Sequence, residues 1–302
     1  MEDQQKKSIT GAEVLPGLAE TYGQLYLTPD EAGRAAYRDV VLCGLDAPQK
    51  SLGHFLGDGR DSCLPEETPA GEVLVVTLHE RQDFETFLRV MAYRCEQKPI
   101  PKSQGAAILD GVVNWTRIRA HKADFLRRGG TEDGWSEEFQ RFTAEKRNYK
   151  DALIVLSDGP YSAISARAVG MDEDAWLSAS HAIRKAHECT HFICRRLFPE
   201  KIDALWDEIV ADAVGLYAAF GAYDPALAAL FLGVGPEGYT GGRLENYVSA
   251  EEEDRKKALD RSAKKVYAVI EKLAEIVKGC GVTEPYSLAI RLEEEIECWK
   301  ES

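Results

Sequence analysis

Two short runs in the chain are apolar at nearly every position. Val73-Leu74-Val75-Val76-Thr77-Leu78, entered from Glu72, is rich in β-branched residues and predicts a strand over 72–78. Ala152-Leu153-Ile154-Val155-Leu156-Ser157 is the second, closed by the turn residues Asp158-Gly159-Pro160. A third strand is expected over 106–115. Around these runs apolar positions recur at helical spacing. Phe84, Phe87, Leu88, Met91 and Ala92 predict one helix, and the stretch 140–149 reads as another. From about residue 172 the helical spacing becomes almost continuous. Asp172 is placed to cap a helix over 173–198, since its carboxylate can accept the free N–H groups of the first turn. Pro199 breaks that helix and can open the next, over about 200–220. The apolar face of this second helix includes Ile202, Leu205, Trp206, Ile209, Val210, Ala213, Val214 and Tyr217, and Gly221 is its natural stop. Further helices are expected over 224–233, 250–279 and 284–300. Loop-like stretches are short, at 45–71, 97–105, 129–135 and the glycine-rich 233–244.

These elements predict an α+β fold. An N-terminal α/β lobe over 1–198 would hold a small mixed sheet, and a mostly helical C-terminal lobe over 199–302 would complete one catalytic unit. The glycine-rich stretch motivates the expectation that the C-terminal lobe closes the cleft.

Charge and composition narrow the partners. The net charge of −14 argues against a nucleic-acid partner, which would require clustered Lys and Arg. No run of 18 apolar residues appears, so no membrane span is expected. The first seven residues read as a solvated tail and lead into no apolar signal core. Seven cysteines, at 43, 63, 95, 189, 194, 280 and 298, form no CxxC pair. Their odd number suits reduced thiols in a cytoplasmic protein.

Candidate chemistry lies in the helix over 173–198. His187-Glu188-Cys189-Thr190-His191 places two histidines four residues apart, on one helix face and one turn from each other, where both imidazoles can converge on one metal ion. Glu188 points about 100° round the helix, so it is better placed to act on a water held by that metal. A catalytic zinc site takes three protein ligands and keeps one position open. The next helix offers Glu208-Ile209-Val210-Ala211-Asp212. Glu208 is the expected third ligand. Asp212, one turn on, is placed to accept a hydrogen bond from the outer nitrogen of a ligand histidine.

HExxH followed by ExxAD on the next helix resembles the gluzincin branch of the zincin metallopeptidases. The resemblance rests on residues 187–212 and implies a zincin-like fold. It implies one zinc per chain, held by His187, His191 and Glu208. It also implies Glu188 as general base and Asp212 as support for the first histidine. Zincins place a strand such as 152–157 at the sheet edge beside the active-site helix, where an extended peptide can pair with it. The activity implied is hydrolysis of a peptide or amide bond by a metal-activated water. A zincin-like enzyme for a small-molecule amide or ester, and a metal-stabilised binding protein without catalysis, are the alternatives.

Zincins often add a donor that reaches the oxyanion. Tyr247 is the candidate here, as a phenol able to donate to developing charge. Arg243 is a candidate to grip a substrate carboxylate, and Tyr161, just after the 152–157 strand, is a further substrate-binding candidate. His181 lies off the metal face, Cys189 should face away from the metal, and Trp176 and Trp206 suit packed helix faces.

Overall fold

The computed structural model describes residues 8–200, 203–249 and 254–300, with side chains up to residue 295. The N-terminal tail, Ile202 and the Cys298 side chain therefore lie outside the described parts. The chain divides into two compact units. The first comprises Met1–Glu66, Val73–Pro101 and Ala107–Ser157, and the second Glu67–Glu72, Lys102–Ala106 and Asp158–Ser302. The architecture is α+β, with a small mixed sheet and mostly helical content.

The first unit is built on a five-stranded sheet. Its elements in chain order are β1 (Ile9–Thr10), α1 (Val14–Thr21), α2 (Glu31–Tyr37), β2 (Ser62–Glu66), β3 (Val73–Leu78), α3 (Arg81–Met91), β4 (Ala106–Val113), α4 (Trp115–Arg127), α5 (Trp135–Ala144) and β5 (Lys150–Ser157). The sheet order is β1-β2-β3-β5-β4. β3 and β5 run parallel, with Leu74 opposite Leu153 and Val76 opposite Val155. All six residues of β3 and the last seven of β5 are buried. Burial on both faces is what an unbroken apolar run provides for, because no solvent face demands alternation. α3 packs Phe84, Phe87, Leu88 and Met91 into the core shared with Val14, Leu18, Tyr22 and Leu25 of the N-terminal helical segment.

Three expectations change here. β5 was expected at a sheet edge, but it lies between β3 and β4 and is paired on both sides; the edges are β1 and β4. A free edge is what an extended peptide would need, and β5 has none. The strand β2 lies inside the stretch expected as loop. Its Pro65 and turn-rich flanks mask it, and β1 reaches only Ser62 and Cys63 on its outer side. The helix expected over 140–149 runs earlier, as α5, and ends at Ala144 before a 3-10 turn.

The second unit holds α6 (Ala166–Val169), α7 (Glu173–Leu197), α8 (Ala204–Phe220), α9 (Pro225–Leu232), β6 (Val234–Gly235), β7 (Gly238–Tyr239), α10 (Arg255–Gly279) and α11 (Pro285–Lys300). Asp172 caps α7 as expected, its carboxylate accepting from the N–H groups of Asp174 and Ala175. Pro199 does not open α8. That helix begins at Ala204, capped by Asp203 through the N–H groups of Leu205 and Trp206. Gly221 ends α8 in a left-handed conformation with φ 67°. The expected lobe boundary at residue 198 falls inside this unit, because α7 and α8 pack directly on one another. A Cβ at Gly215 would sit 2.9 Å from the Ile183 carbonyl oxygen, so glycine is what lets the two backbones come this close. Among the described residues no helix is long and apolar enough to cross a membrane.

Candidate metal centre

α7 presents His187 and His191 on its buried face, each 5% exposed. Their rings meet edge to face with centroids 4.6 Å apart, and the two Nε2 atoms are 2.9 Å apart. α8 brings Glu208 to the same point. Its Oε1 lies 3.3 Å from His191 Nε2 and its Oε2 lies 3.6 Å from His187 Nε2. These three residues could hold a metal ion, one donor atom from each lying within 4.8 Å of the others.

The outer nitrogens explain why the inner ones converge. His187 Nδ1 lies 3.0 Å from Asp212 Oδ1, and His191 Nδ1 lies 2.7 Å from Asp207 Oδ2. A carboxylate can only accept, so each Nδ1–H donates and each ring turns its Nε2 inward. The structure brings Asp212 to the first histidine, as expected. Asp207 is the residue that sequence reasoning missed. The signal was available: two candidate ligand histidines call for two outer partners, and Asp207 adjoins Glu208 in the first turns of α8.

Glu188 is half-buried and outside the three-donor group. Its charge acts on His191, and among the described residues its carboxylate has no hydrogen-bond or ion-pair partner. Cys189 is buried and is not part of the donor group.

The two substrate-binding candidates are both drawn into the scaffold of the site. Tyr161 is 5% exposed. Its hydroxyl donates to Asp212 Oδ1 at 2.7 Å and lies 2.9 Å from His187 Nδ1. A phenol so enclosed is committed to the histidine–aspartate pair. It follows β5 by four residues and opens a 3-10 turn, Tyr161–Ala163, in which Ser162 and Ala163 take positive φ values of 51° and 58°. The Tyr161 N–H is tied to Ser180 Oγ on α7.

Arg243 reaches the site but is not free to grip a substrate. One guanidinium nitrogen donates to Glu208 Oε2 at 3.1 Å and the other pairs with Asp212 Oδ2, while the group lies over the Tyr161 ring. The glycine-rich stretch delivers it there. That stretch is a small β6–β7 hairpin in place of an open loop. Gly233 and Gly242 pack backbone to backbone, so that a Cβ on either would fall within 2.5 Å of the other segment. This contact fixes the path of the glycine-rich segment.

Electrostatics follow from these pairings. Burial opposes the charge on Glu208, but His187, His191 and Arg243 outweigh it and hold the carboxyl far below its usual range. Burial likewise opposes the Asp212 charge, and Arg243 and His187 overcome it. Burial would lower His191, yet its hydrogen bonds to Asp207 and Glu208 raise it to about 10. Tyr247 is half-buried, and burial together with the neighbouring Glu208 pushes its phenol up. Tyr247 thus stands beside the Glu208 carboxylate, as a neutral donor.

The donor set fits a divalent cation of the zinc type. It comprises two imidazole nitrogens and one carboxylate, and a protein carboxylate backs each imidazole. A family of unknown function (DUF7005) matches residues 35–289, which include every residue of this site, and the chain belongs to that family. No curated protein and no solved structure matches the chain.

Proposed function

We propose that this member of DUF7005 is a zinc-dependent hydrolase of the metallopeptidase type, cleaving a peptide or amide bond. The observation that carries the reading is the convergence of His187 Nε2, His191 Nε2 and the Glu208 carboxylate beside the uncommitted carboxylate of Glu188. A purely structural metal site has no use for such a base. When bound, zinc would make a water more acidic and polarise the scissile carbonyl. Glu188 accepts the proton of the attacking water and returns it to the departing amine nitrogen. Asp207 and Asp212 keep the imidazoles in the ligating tautomer. Arg243 and Tyr161 hold Asp212 in place, and Tyr247 is the candidate donor to the developing oxyanion.

A second reading has a specific observation in its favour. β5 is paired on both sides, so the strand expected to align an extended peptide is not available for it. This favours a compact amide or ester over a long peptide.

The test is metal content by mass spectrometry on the purified protein and on the His187→Ala and Glu208→Ala variants, followed by turnover assays on a peptide library and a panel of small amides and esters. One equivalent of zinc lost with either substitution, together with turnover on one of the two substrate sets, supports the reading. Protein that takes up no zinc in a His187-dependent way sinks it. Zinc without turnover on any substrate leaves a metal-stabilised binding protein.

A further inference from the structure

On the far side of Asp207 from His191 a second group of side chains meets. Cys194 on α7, Asp207 on α8 and Glu293 on α11 each place a donor atom within 4.8 Å of the other two. All three are buried, at 2%, 7% and 5% exposure. The Cys194 sulfur lies 3.8 Å from Glu293 Oε1. Asp207 divides its carboxylate between two environments. Oδ2 takes the His191 Nδ1 hydrogen, while Oδ1 is buried and accepts no hydrogen bond. A buried carboxylate oxygen without a hydrogen-bond donor is costly, and buried anionic groups are ordinarily neutralised by a cation or by protons. Two carboxylates and a thiol at one buried point, one of them with an unused oxygen, are the donor chemistry of a divalent cation site.

We propose that Cys194, Asp207 and Glu293 form a second metal site, which takes a borderline divalent cation of the zinc type and shares Asp207 with the histidine site. The sulfur donor disfavours magnesium and calcium, which require an all-oxygen shell. Uptake of the cation releases the thiol proton of Cys194 to solvent and forms one sulfur–metal bond, with no change of oxidation state. A cation here would fix Oδ1 and thereby the orientation of Oδ2 toward His191. The site would exist whether or not the histidine site hydrolyses anything.

Cobalt distinguishes the two sites, because only this one contains sulfur. Metal-stripped wild-type protein titrated with Co²⁺ should develop a thiolate-to-cobalt charge-transfer band in the near ultraviolet. The band should persist in His187→Ala, which removes a ligand of the other site. It should vanish in Cys194→Ser, and zinc content should fall by one equivalent in Cys194→Ser and in Glu293→Gln while the His187-dependent equivalent remains. Absence of the band in the wild-type protein overturns the proposal without recourse to any variant and leaves a cluster neutralised by protons. A band that disappears in His187→Ala and survives in Cys194→Ser also overturns it.

Discussion

Asp207 Oδ2 accepts from His191 Nδ1 at 2.7 Å, a closer contact than the 3.0 Å between Asp212 and His187. Each candidate ligand histidine thus has its own carboxylate, supplied by a single helix from positions five residues apart. Replacing Asp207 with Asn keeps the shape and removes the charge. Metal affinity, measured by competition with a chromophoric chelator, should fall roughly 10- to 100-fold, and Asp212→Asn should do the same. Unchanged affinity in Asp207→Asn would assign that contact to packing alone.

Glu188 is expected to act on the proton and not on the metal. Glu188→Gln should retain the His187-dependent zinc and lose about 10²- to 10⁴-fold in kcat, the usual worth of a general base. Loss of zinc in this variant would place Glu188 among the ligands instead.

The raised pKa of His191 makes two opposite pH dependences. In metal-free protein the group sits at about 10, above the ordinary value of 6.5. Its pairing with Asp207 and Glu208 therefore contributes fully to stability below about pH 6.5 and is lost as pH rises through 10. The Tm of chelator-treated protein should fall across that interval. Zinc affinity should rise across it, because the metal competes with a proton for the same ring. Parallel trends for the two quantities would contradict the assignment.

Arg243 neutralises two buried carboxylates at once. Arg243→Gln leaves Glu208 and Asp212 without that partner and should cost about 3–5 kcal/mol in urea unfolding of the metal-free protein. Added zinc should recover part of this loss. Lysine should rescue little, since it cannot reproduce the two-pronged contact.

The cap of α7 provides a control remote from the chemistry. Asp172→Ala should destabilise by about 1 kcal/mol with metal affinity unchanged, because the helix rises about 1.5 Å per residue and the cap lies four turns from His187.

Much of the site was legible in the chain because it depends on local periodicity. Positions four apart lie about one helical turn from each other, so His187 and His191 had to share a face once Asp172 and the apolar spacing specified a helix. Glu208 and Asp212 follow by the same period on α8, and Gly221 ends that helix for want of a Cβ in the left-handed region. The unbroken apolar runs of β3 and β5 likewise specified strands buried on both faces.

Long-range packing decided the rest. Nothing in the order of residues states which strand pairs with which, and sheet order placed β4 outside β5. Tyr161 and Arg243 lie 51 and 31 residues from Asp212, yet both meet it. Only the turn after β5 and the Gly233–Gly242 contact determine that they point inward at carboxylates. Asp207 takes its role from the close approach of α7 and α8, an approach that rests on a missing side chain at Gly215. Local periodicity sets which face of a helix a residue occupies; which group waits on the other side is a property of the folded chain.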